Sequence, residues 1–158
     1  MSSMTSPGTT LTFEHERIEA LVELMKQEQQ FLVSADADGL AQLTPRKVAL
    51  VQELAQRSRE RHAALSRAGF EPSEAGMEPW LAAQADEAVR STWTALLAQT
   101  LEAKELNRVN GMLINRQMAH NQTVLNALRT PTGGADQALY GAKGQTFGSG
   151  PSQRFVVG

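Results

Sequence analysis

The residues that most often carry enzyme chemistry are scattered in this sequence. Histidines occur only as His15, His62 and His120, and none has a second metal ligand at a typical spacing. His15-Glu16 begins a pattern like HExxH, but position 19 holds Glu where a zinc protease needs its second histidine. The chain has no cysteine, which excludes disulfides, thiolate metal sites and a cysteine nucleophile.

One further short motif, and the carboxylates, do not predict a catalytic or binding site. The sequence GAKGQT at 141–146 superficially resembles a phosphate-binding loop, but it lacks the GxxxxGK[ST] pattern and follows no predicted strand. The carboxylates fall on charged helix faces where solvation explains them, and no base is placed to activate a serine or threonine. We therefore predict a protein that is not an enzyme and uses no metal or cofactor.

Composition and charge narrow the class of protein further. Aromatic residues make up only 5% of the chain, which is rich in helix-forming residues, so an all-α domain is expected. The net charge is −2 and no region is basic enough to attract nucleic acid or an anionic membrane. No apolar run approaches the roughly 20 residues that span a bilayer, and the N-terminus does not resemble a signal peptide. We expect a cytoplasmic protein without direct membrane insertion.

The first helix is predicted at residues 12–34. Residues 1–11 are rich in Ser, Thr, Pro and Gly and are expected to be disordered. Thr12 is a candidate N-cap, and apolar residues then recur at helical spacing until Asp36–Gly39 breaks the pattern.

The second helix is predicted to begin at Thr44-Pro45, a cap residue followed by proline in the first turn, and to end at Gly69. Leu40–Leu43 is expected to form at most one separate turn before it. Within the helix Arg57 and Arg61 share a face, which we interpret as solvated.

A long third helix is predicted over residues 79–129. Its apolar residues alternate in steps of three and four, typical of a coiled coil, with Trp80 and Trp93 as core anchors. The sequence places these positions on one stripe: Leu81, Ala85, Ala88, Thr92, Ala95, Gln99, Glu102, Leu106, Val109, Leu113, Gln117, His120, Val124 and Leu128. Leu96, Leu97 and Leu101 widen it. Either the chain turns at Asn110-Gly111 or the helix runs through, and the unbroken register favours continuity or a kink. The predicted fold is an elongated antiparallel bundle of three to four long helices at 12–130, between disordered tails at 1–11 and 131–158.

The stretch Asn107–Arg129 is unusual for a helix. It contains five asparagines, which helix interiors usually avoid, beside an apolar side that includes Met112, Met118 and Leu125. Methionine and amide side chains suit a surface that accepts another chain. From the residues alone, a groove for a partner's amphipathic helix and self-packing within the bundle or a homodimer remain equally open.

Three sequence motifs carry a resemblance to a known family. Leu43–Lys47 (LTPRK), Asn107–Ile114 (NRVNGMLI) and Leu139–Gln145 (LYGAKGQ) occur in the order and spacing of the FlgN flagellar export chaperones. The chain resembles that family from about residue 12 to 146, and Lys143 departs from its pattern.

The resemblance implies a cytoplasmic type III export chaperone. Such a protein binds the C-terminal helices of hook-associated proteins 1 and 3 (FlgK and FlgL), prevents their premature assembly and delivers them to the export gate protein FlhA. Carried over by motif, cargo binding falls on Asn107, Asn110, Gly111, Leu113, Ile114, Gln117, Val124 and Leu128. Docking on the gate falls on Leu139, Tyr140 and Gly141. The alternatives are a helical-bundle adaptor or regulator for another partner's amphipathic helix, and a homodimeric structural bundle.

Overall fold

The computed structural model describes residues 6–84 and 86–129, without the side chain of residue 84. Four α-helices occupy nearly all of this part of the chain: α1 (Leu11–Val33), α2 (Ala37–Arg67), α3 (Met77–Gln84) and α4 (Glu87–Arg129). A single 3-10 turn, Glu74–Gly76, precedes α3. The predicted all-α class is confirmed. The chain divides after Ile114 into two compact units, which are described separately below.

Helices α1 and α2 form an antiparallel hairpin. Ion pairs join Glu14 to Arg61 and Glu28 to Lys47, so residues early in α1 meet residues late in α2. The connection is short because Asp36 caps α2, accepting a hydrogen bond from the Gly39 backbone N–H at 2.9 Å. Helix α1 begins and ends one residue before the predicted bounds.

Helix α4 runs parallel to α1 in the first unit. Lys26 lies 3.5 Å from Glu102, and two residues further along α1 Glu28 accepts a hydrogen bond from Asn110. Up to Ile114 the three long helices therefore make an up-down-up bundle. Residues of these three helices and of α3 form its core: Leu11, Ile18, Leu21, Val22, Met25, Leu65, Met77, Trp80, Leu81, Trp93, Leu96 and Ala103. Trp80 and Trp93 are 5% and 3% exposed, which confirms them as core anchors.

The N-terminal segment is more ordered than predicted between residues 6 and 11. Residues 7–10 form a turn, Thr10 is buried, and Leu11 already belongs to α1 and its core. A Cβ at Gly8 would lie 3.2 Å from the Trp80 ring, so the glycine lets the backbone pack on α3. The prediction of disorder is wrong for residues 6–11, and its remainder lies outside the described residues. Thr10, rather than Thr12, occupies the N-cap position.

The predicted break before Thr44-Pro45 is wrong, because α2 continues through Pro45. A proline inside a helix leaves the carbonyl four residues earlier without its N–H partner, here that of Ala41. Ala41 and Pro45 are both exposed, so water can satisfy that carbonyl. The predicted end at Gly69 is confirmed, since α2 ends at Arg67 and Gly69 has φ of +89°.

The predicted third helix is divided into two helices near its start, whereas at Gly111 it is continuous, as predicted. A break separates α3 from α4 between residues 84 and 87, where the prediction had a continuous helix. The Asp86 side chain accepts a hydrogen bond from the Ala88 N–H at 3.0 Å, which gives the new helix its own N-cap. At Gly111 the helix continues without a turn, as the register favoured.

The buried stripe of α4 lies one residue away from the predicted one. Trp93 and Leu96 are buried, as their assignments to the core and to the widened stripe predict, while Ala103 and Asn110 are buried in place of Glu102 and Val109. Thr92, Ala95 and Val109 are only half-buried. The larger apolar area of Trp93 and Leu96 favours this register, because burying them stabilises the bundle more than burying Thr92 and Ala95.

Candidate partner-binding surface

One heptad position of α4 changes from buried to exposed along the helix. Leu96, Ala103 and Asn110 are spaced seven apart and are 5%, 6% and 1% exposed. At the next two positions Gln117 is half-buried and Val124 is 42% exposed. The covered part of this stripe therefore ends at Asn110.

Asn110 is anchored in the bundle. Its Nδ2 donates to the Met25 carbonyl at 3.0 Å and to Glu28 Oε1 at 2.9 Å. Both oxygens of Glu28 accept from Lys47 Nζ at 3.0 Å, so one amide connects α4 to α1 and, through a carboxylate, to α2. A side chain buried and bonded in this way is not available to a partner. Among the predicted cargo-binding residues Asn110 therefore differs from the rest, since it is 1% exposed and holds α4 against α1.

The other predicted cargo-binding residues remain on accessible parts of α4. Asn107, Ile114, Val124 and Leu128 are exposed, with Ile114 at 39% and Leu128 at 69%. Gly111, Leu113 and Gln117 are half-buried. The predicted set left out three exposed apolar residues of the same stretch, Met112, Met118 and Leu125. Their apolar character was visible in the sequence, but the one-residue register error assigned the stripe to other positions.

In the second unit the described residues are the single helical segment Asn115–Arg129. Met118, Val124, Leu125 and Leu128 are 64%, 42%, 54% and 69% exposed. Met118, Asn121, Leu125 and Leu128 follow one another in steps of three, four and three. That is the spacing of a coiled-coil seam. We call these four residues the exposed seam. It contains one polar position, Asn121, among three large apolar side chains.

The predicted gate-docking residues Leu139, Tyr140 and Gly141 lie outside the described residues.

A buried ion pair that the sequence analysis missed joins α1 to α2 beneath Trp93. Arg61 and Glu14 are both 3% exposed in their side chains, and two hydrogen bonds of 2.9 and 3.0 Å connect them. Thr10 Oγ1 donates to Glu14 at 2.7 Å, and the Arg61 guanidinium lies 4.9 Å from the centre of the Trp93 ring. The interpretation of a solvated arginine face is therefore wrong for Arg61, as is that of a solvated carboxylate for Glu14. No spacing rule distinguishes this arginine from its exposed neighbours.

Glu74 extends this cluster towards solvent. Its carboxylate accepts from Arg61 Nη1 at 2.7 Å and lies 2.6 Å from His62 Nε2. Partial burial raises the pKa of Glu74, but the hydrogen bonds from Arg61 and His62 outweigh it and leave the pKa below its ordinary 4.5. For Arg61, burial lowers the pKa, and the hydrogen bonds to Glu14 and Glu74 more than offset this, so the guanidinium stays charged. The cluster is therefore buried at Arg61 and Glu14 and open to solvent at Glu74, and its ion pairs connect α1, α2 and the turn before α3.

Metal-binding clusters and a surface groove were the remaining features of the described residues to consider. Among them no group of three or more His, Asp or Glu side chains is placed to hold a metal ion. A groove of about 340 Å³ lies between α1 and α4, lined by Glu19, Glu23, Lys26 and Glu102 among others. Its lysine already pairs with Glu23 at 3.3 Å and Glu102 at 3.5 Å. Within residues 6–84 and 86–129, no helix is both long and apolar enough to cross a membrane.

Comparison with known proteins identifies the family. The profile of the FlgN protein family matches residues 1–147 of this chain. The flagella synthesis protein FlgN of Proteus mirabilis is 28% identical over 141 residues, covering 86% of each chain. No solved structure matches. The family match covers all four described helices together with the tail motif, and on that basis the chain belongs to the FlgN family.

Proposed function

We propose that this protein is a cytoplasmic flagellar export chaperone that binds the C-terminal helices of hook-associated proteins 1 and 3 (FlgK and FlgL). Membership of the FlgN family supports the general role, and the named relative is a flagella synthesis protein. In this proposal the chaperone prevents premature assembly of its cargo and delivers it to the export gate protein FlhA.

The observation that carries the proposal is the exposed seam. Large apolar side chains scattered singly on a surface are ordinary, but three at coiled-coil spacing on one helix present an apolar strip. An amphipathic helix from a partner would cover such a strip through residues three and four apart, as in other helix-recognition surfaces. The proposed cargo contacts are Asn107, Gly111, Leu113, Ile114, Gln117, Val124 and the exposed seam.

Binding of a cargo segment tests this assignment directly. Leu125→Asp with Leu128→Asp places two charges in the strip, and the full-length variant should no longer co-elute with a C-terminal segment of a hook-associated protein. The matched control is Ala119→Asp with Thr123→Asp, two exposed residues on the opposite side of the same helix. Circular dichroism checks that both variants keep their helix content. Equal co-elution of the two variants would contradict the proposed site.

Delivery to the gate is assigned to the tail motif by family resemblance. We expect Tyr140→Ala to weaken binding to FlhA while cargo binding stays unchanged, because the two activities use different segments. Loss of both would mean that the tail takes part in holding cargo.

A homodimer through the same strip is the second candidate, since heptad spacing also favours self-pairing. It predicts a molar mass twice that of the chain in light scattering without cargo. In that case Leu125→Asp with Leu128→Asp would restore the monomer.

A further inference from the structure

The asparagine with the most labile sequence context in this chain is also the buried one. All five asparagines lie in α4, and four of them are exposed and precede residues other than glycine: Asn107, Asn115, Asn121 and Asn126. Asn110 precedes Gly111 and is 1% exposed. A following glycine favours deamidation of asparagine, because no Cβ hinders the attack of its backbone nitrogen on the asparagine side chain. We therefore expect this reaction to be fastest at Asn110 once the backbone is free to move.

Deamidation at this dipeptide needs no enzyme and no reactant other than water. The Gly111 backbone nitrogen loses its proton and attacks Asn110 Cγ, so that a new N–C bond closes a succinimide ring. The bond from Cγ to Nδ2 breaks, its electron pair leaves with the nitrogen, and the nitrogen takes up a proton and departs as ammonia. Water then opens the ring at either carbonyl and yields aspartate or isoaspartate. Both products replace a neutral amide by a carboxyl group that is ordinarily ionised at neutral pH.

The fold keeps the two reacting groups out of this reaction. Gly111 lies inside α4, where the helical pattern pairs its N–H with the backbone carbonyl four residues earlier. Asn110 Nδ2, the group that must leave, donates to the Met25 carbonyl at 3.0 Å and to Glu28 Oε1 at 2.9 Å. The reaction requires the helix to open at this point and the amide to leave both acceptors. It therefore proceeds from unfolded or locally opened molecules.

The product does not fit the position that the amide occupies. Asn110 Nδ2 faces two acceptors, and within residues 6–84 and 86–129 Asn110 Oδ1 has no hydrogen-bond partner. A carboxylate there would place one oxygen against Glu28 Oε1 and the Met25 carbonyl, so two buried carboxylates would meet without a donor between them. Lys47 Nζ is already engaged with both oxygens of Glu28 at 3.0 Å. Isoaspartate would in addition lengthen the backbone by one methylene inside α4.

We propose that Asn110-Gly111 is a deamidation site protected by the fold, and that a chain left unfolded is converted there to a form that cannot remake the contact between α4 and α1. The proposal goes beyond cargo and gate binding, since it concerns the hydrogen bonds that hold α4 in the first unit.

Deamidation kinetics of the full-length protein test the protection. The protein is incubated at mildly alkaline pH in native buffer and in guanidinium chloride above its unfolding midpoint, and peptide mapping by mass spectrometry follows each asparagine. In denaturant Asn110 should be converted before the other four. In native buffer its conversion should be at least about 100-fold slower, because a stable domain is unfolded to about 10⁻³ or less at equilibrium. A smaller difference, or another asparagine reacting first in denaturant, would overturn the proposal.

Gly111→Ala supplies the matched control. A Cβ at residue 111 meets nothing within 4 Å in the folded protein, so the variant should fold at least as well as the parent. In denaturant its conversion at Asn110 should fall to the rate of the other four asparagines, because the attacking nitrogen is now hindered. An unchanged rate would show that the glycine is not what makes Asn110 labile, and the proposal would fail.

Two variants test the effect of the product on the bundle. Asn110→Asp reproduces the aspartate product, and its urea midpoint should lie below that of Asn110→Ala, which removes the amide without adding a charge. Glu28→Gln with Asn110→Asp exchanges amide and carboxylate, which keeps one donor between the two positions and one carboxylate near Lys47. This double variant should be more stable than Asn110→Asp alone. If Asn110→Asp is as stable as the parent, or if the exchange recovers nothing, the product is not excluded by Glu28 and the proposal is wrong.

Discussion

The two parts of α4 show how similar helical sequences acquire different roles. Residues 87–110 bury Trp93, Leu96, Ala103 and Asn110 against α1 and its neighbours, whereas at 115–129 no residue is fully buried. Both parts carry apolar side chains at steps of three and four. The two parts differ in whether side chains of other helices pack on them. Asn110 is the last buried position of its stripe, and Gln117 and Val124 after it are more exposed. The comparison teaches that an apolar stripe in a sequence predicts a contact, while the rest of the fold determines whether that contact is internal.

The largest effect is expected from removing the cation beneath Trp93. Arg61→Met leaves the Glu14 carboxylate buried without its partner, which should lower the free energy of unfolding by about 3–5 kcal/mol. Urea denaturation measures the loss. Replacing both members, Glu14→Leu with Arg61→Met, should recover much of it, because no uncompensated charge then remains. If the double variant is no more stable than the single one, the cluster stabilises the bundle by some other means.

A matched pair of leucine truncations tests the comparison itself. Leu96→Ala removes a side chain that is 5% exposed and should cost about 2–4 kcal/mol, because it leaves a cavity in the core. Leu128→Ala removes one that is 69% exposed and should change stability by less than about 0.5 kcal/mol. Binding of the cargo segment should show the opposite order, with Leu128→Ala the more damaging under native conditions. Similar stability losses in both variants would mean that Leu128 is covered in the free protein.

The anchor at the end of the covered stripe should have an intermediate effect. Asn110→Ala removes the hydrogen bonds to the Met25 carbonyl and to Glu28, which should cost about 1–3 kcal/mol. Because the side chain is buried, cargo affinity should stay unchanged in conditions where the variant is folded. Loss of affinity without loss of stability would return Asn110 to the binding surface.

Acid pH should weaken the bundle through Glu74. A carboxyl group whose pKa is lower in the folded state stabilises that state above the unfolded pKa, and the contribution is lost as pH falls through the folded value. Urea midpoints should therefore fall below about pH 4.5 less steeply in Glu74→Gln than in the parent protein. Glu16→Gln, on an exposed part of α1, is the control and should follow the parent.

The smallest effect is a gain in stability. Gly111 lies inside α4, its φ is not positive, and a Cβ built on it meets nothing within 4 Å. Gly111→Ala should stabilise the helix by about 0.5–1 kcal/mol, because alanine loses less backbone freedom on folding. Thermal unfolding measures the gain. A loss of stability would show that the solution structure bends or turns at Gly111.

Local signals in the sequence predicted much of this fold. The periodicity of α1 located its ends to within one residue, and Gly69 marked the end of α2 because a left-handed residue favours glycine. Trp80 and Trp93 were identified as core residues from their size alone. Each of these features depends on residues that are neighbours in the chain.

Features that depend on distant residues were not predictable. The buried Arg61 pairs with Glu14, which lies 47 positions earlier. The helical periodicity of either segment does not predict this ion pair. The register of α4 depends on which side chains α1 and α2 present to it, so a shift of one residue was invisible in α4 alone. The exposure of the seam is also invisible in α4 alone, because it depends on which side chains of other helices lie against that segment.

The positions of the two tryptophans have a spectroscopic consequence. Trp80 and Trp93 are the only tryptophans in the chain and both are buried in the first unit, while the exposed seam contains no aromatic residue. Intrinsic fluorescence therefore reports the state of the bundle core, with Arg61 close enough to the Trp93 ring to affect its emission. A partner without tryptophan that binds only at the seam should leave this emission unchanged. A spectral shift on binding would instead indicate that the core itself has rearranged.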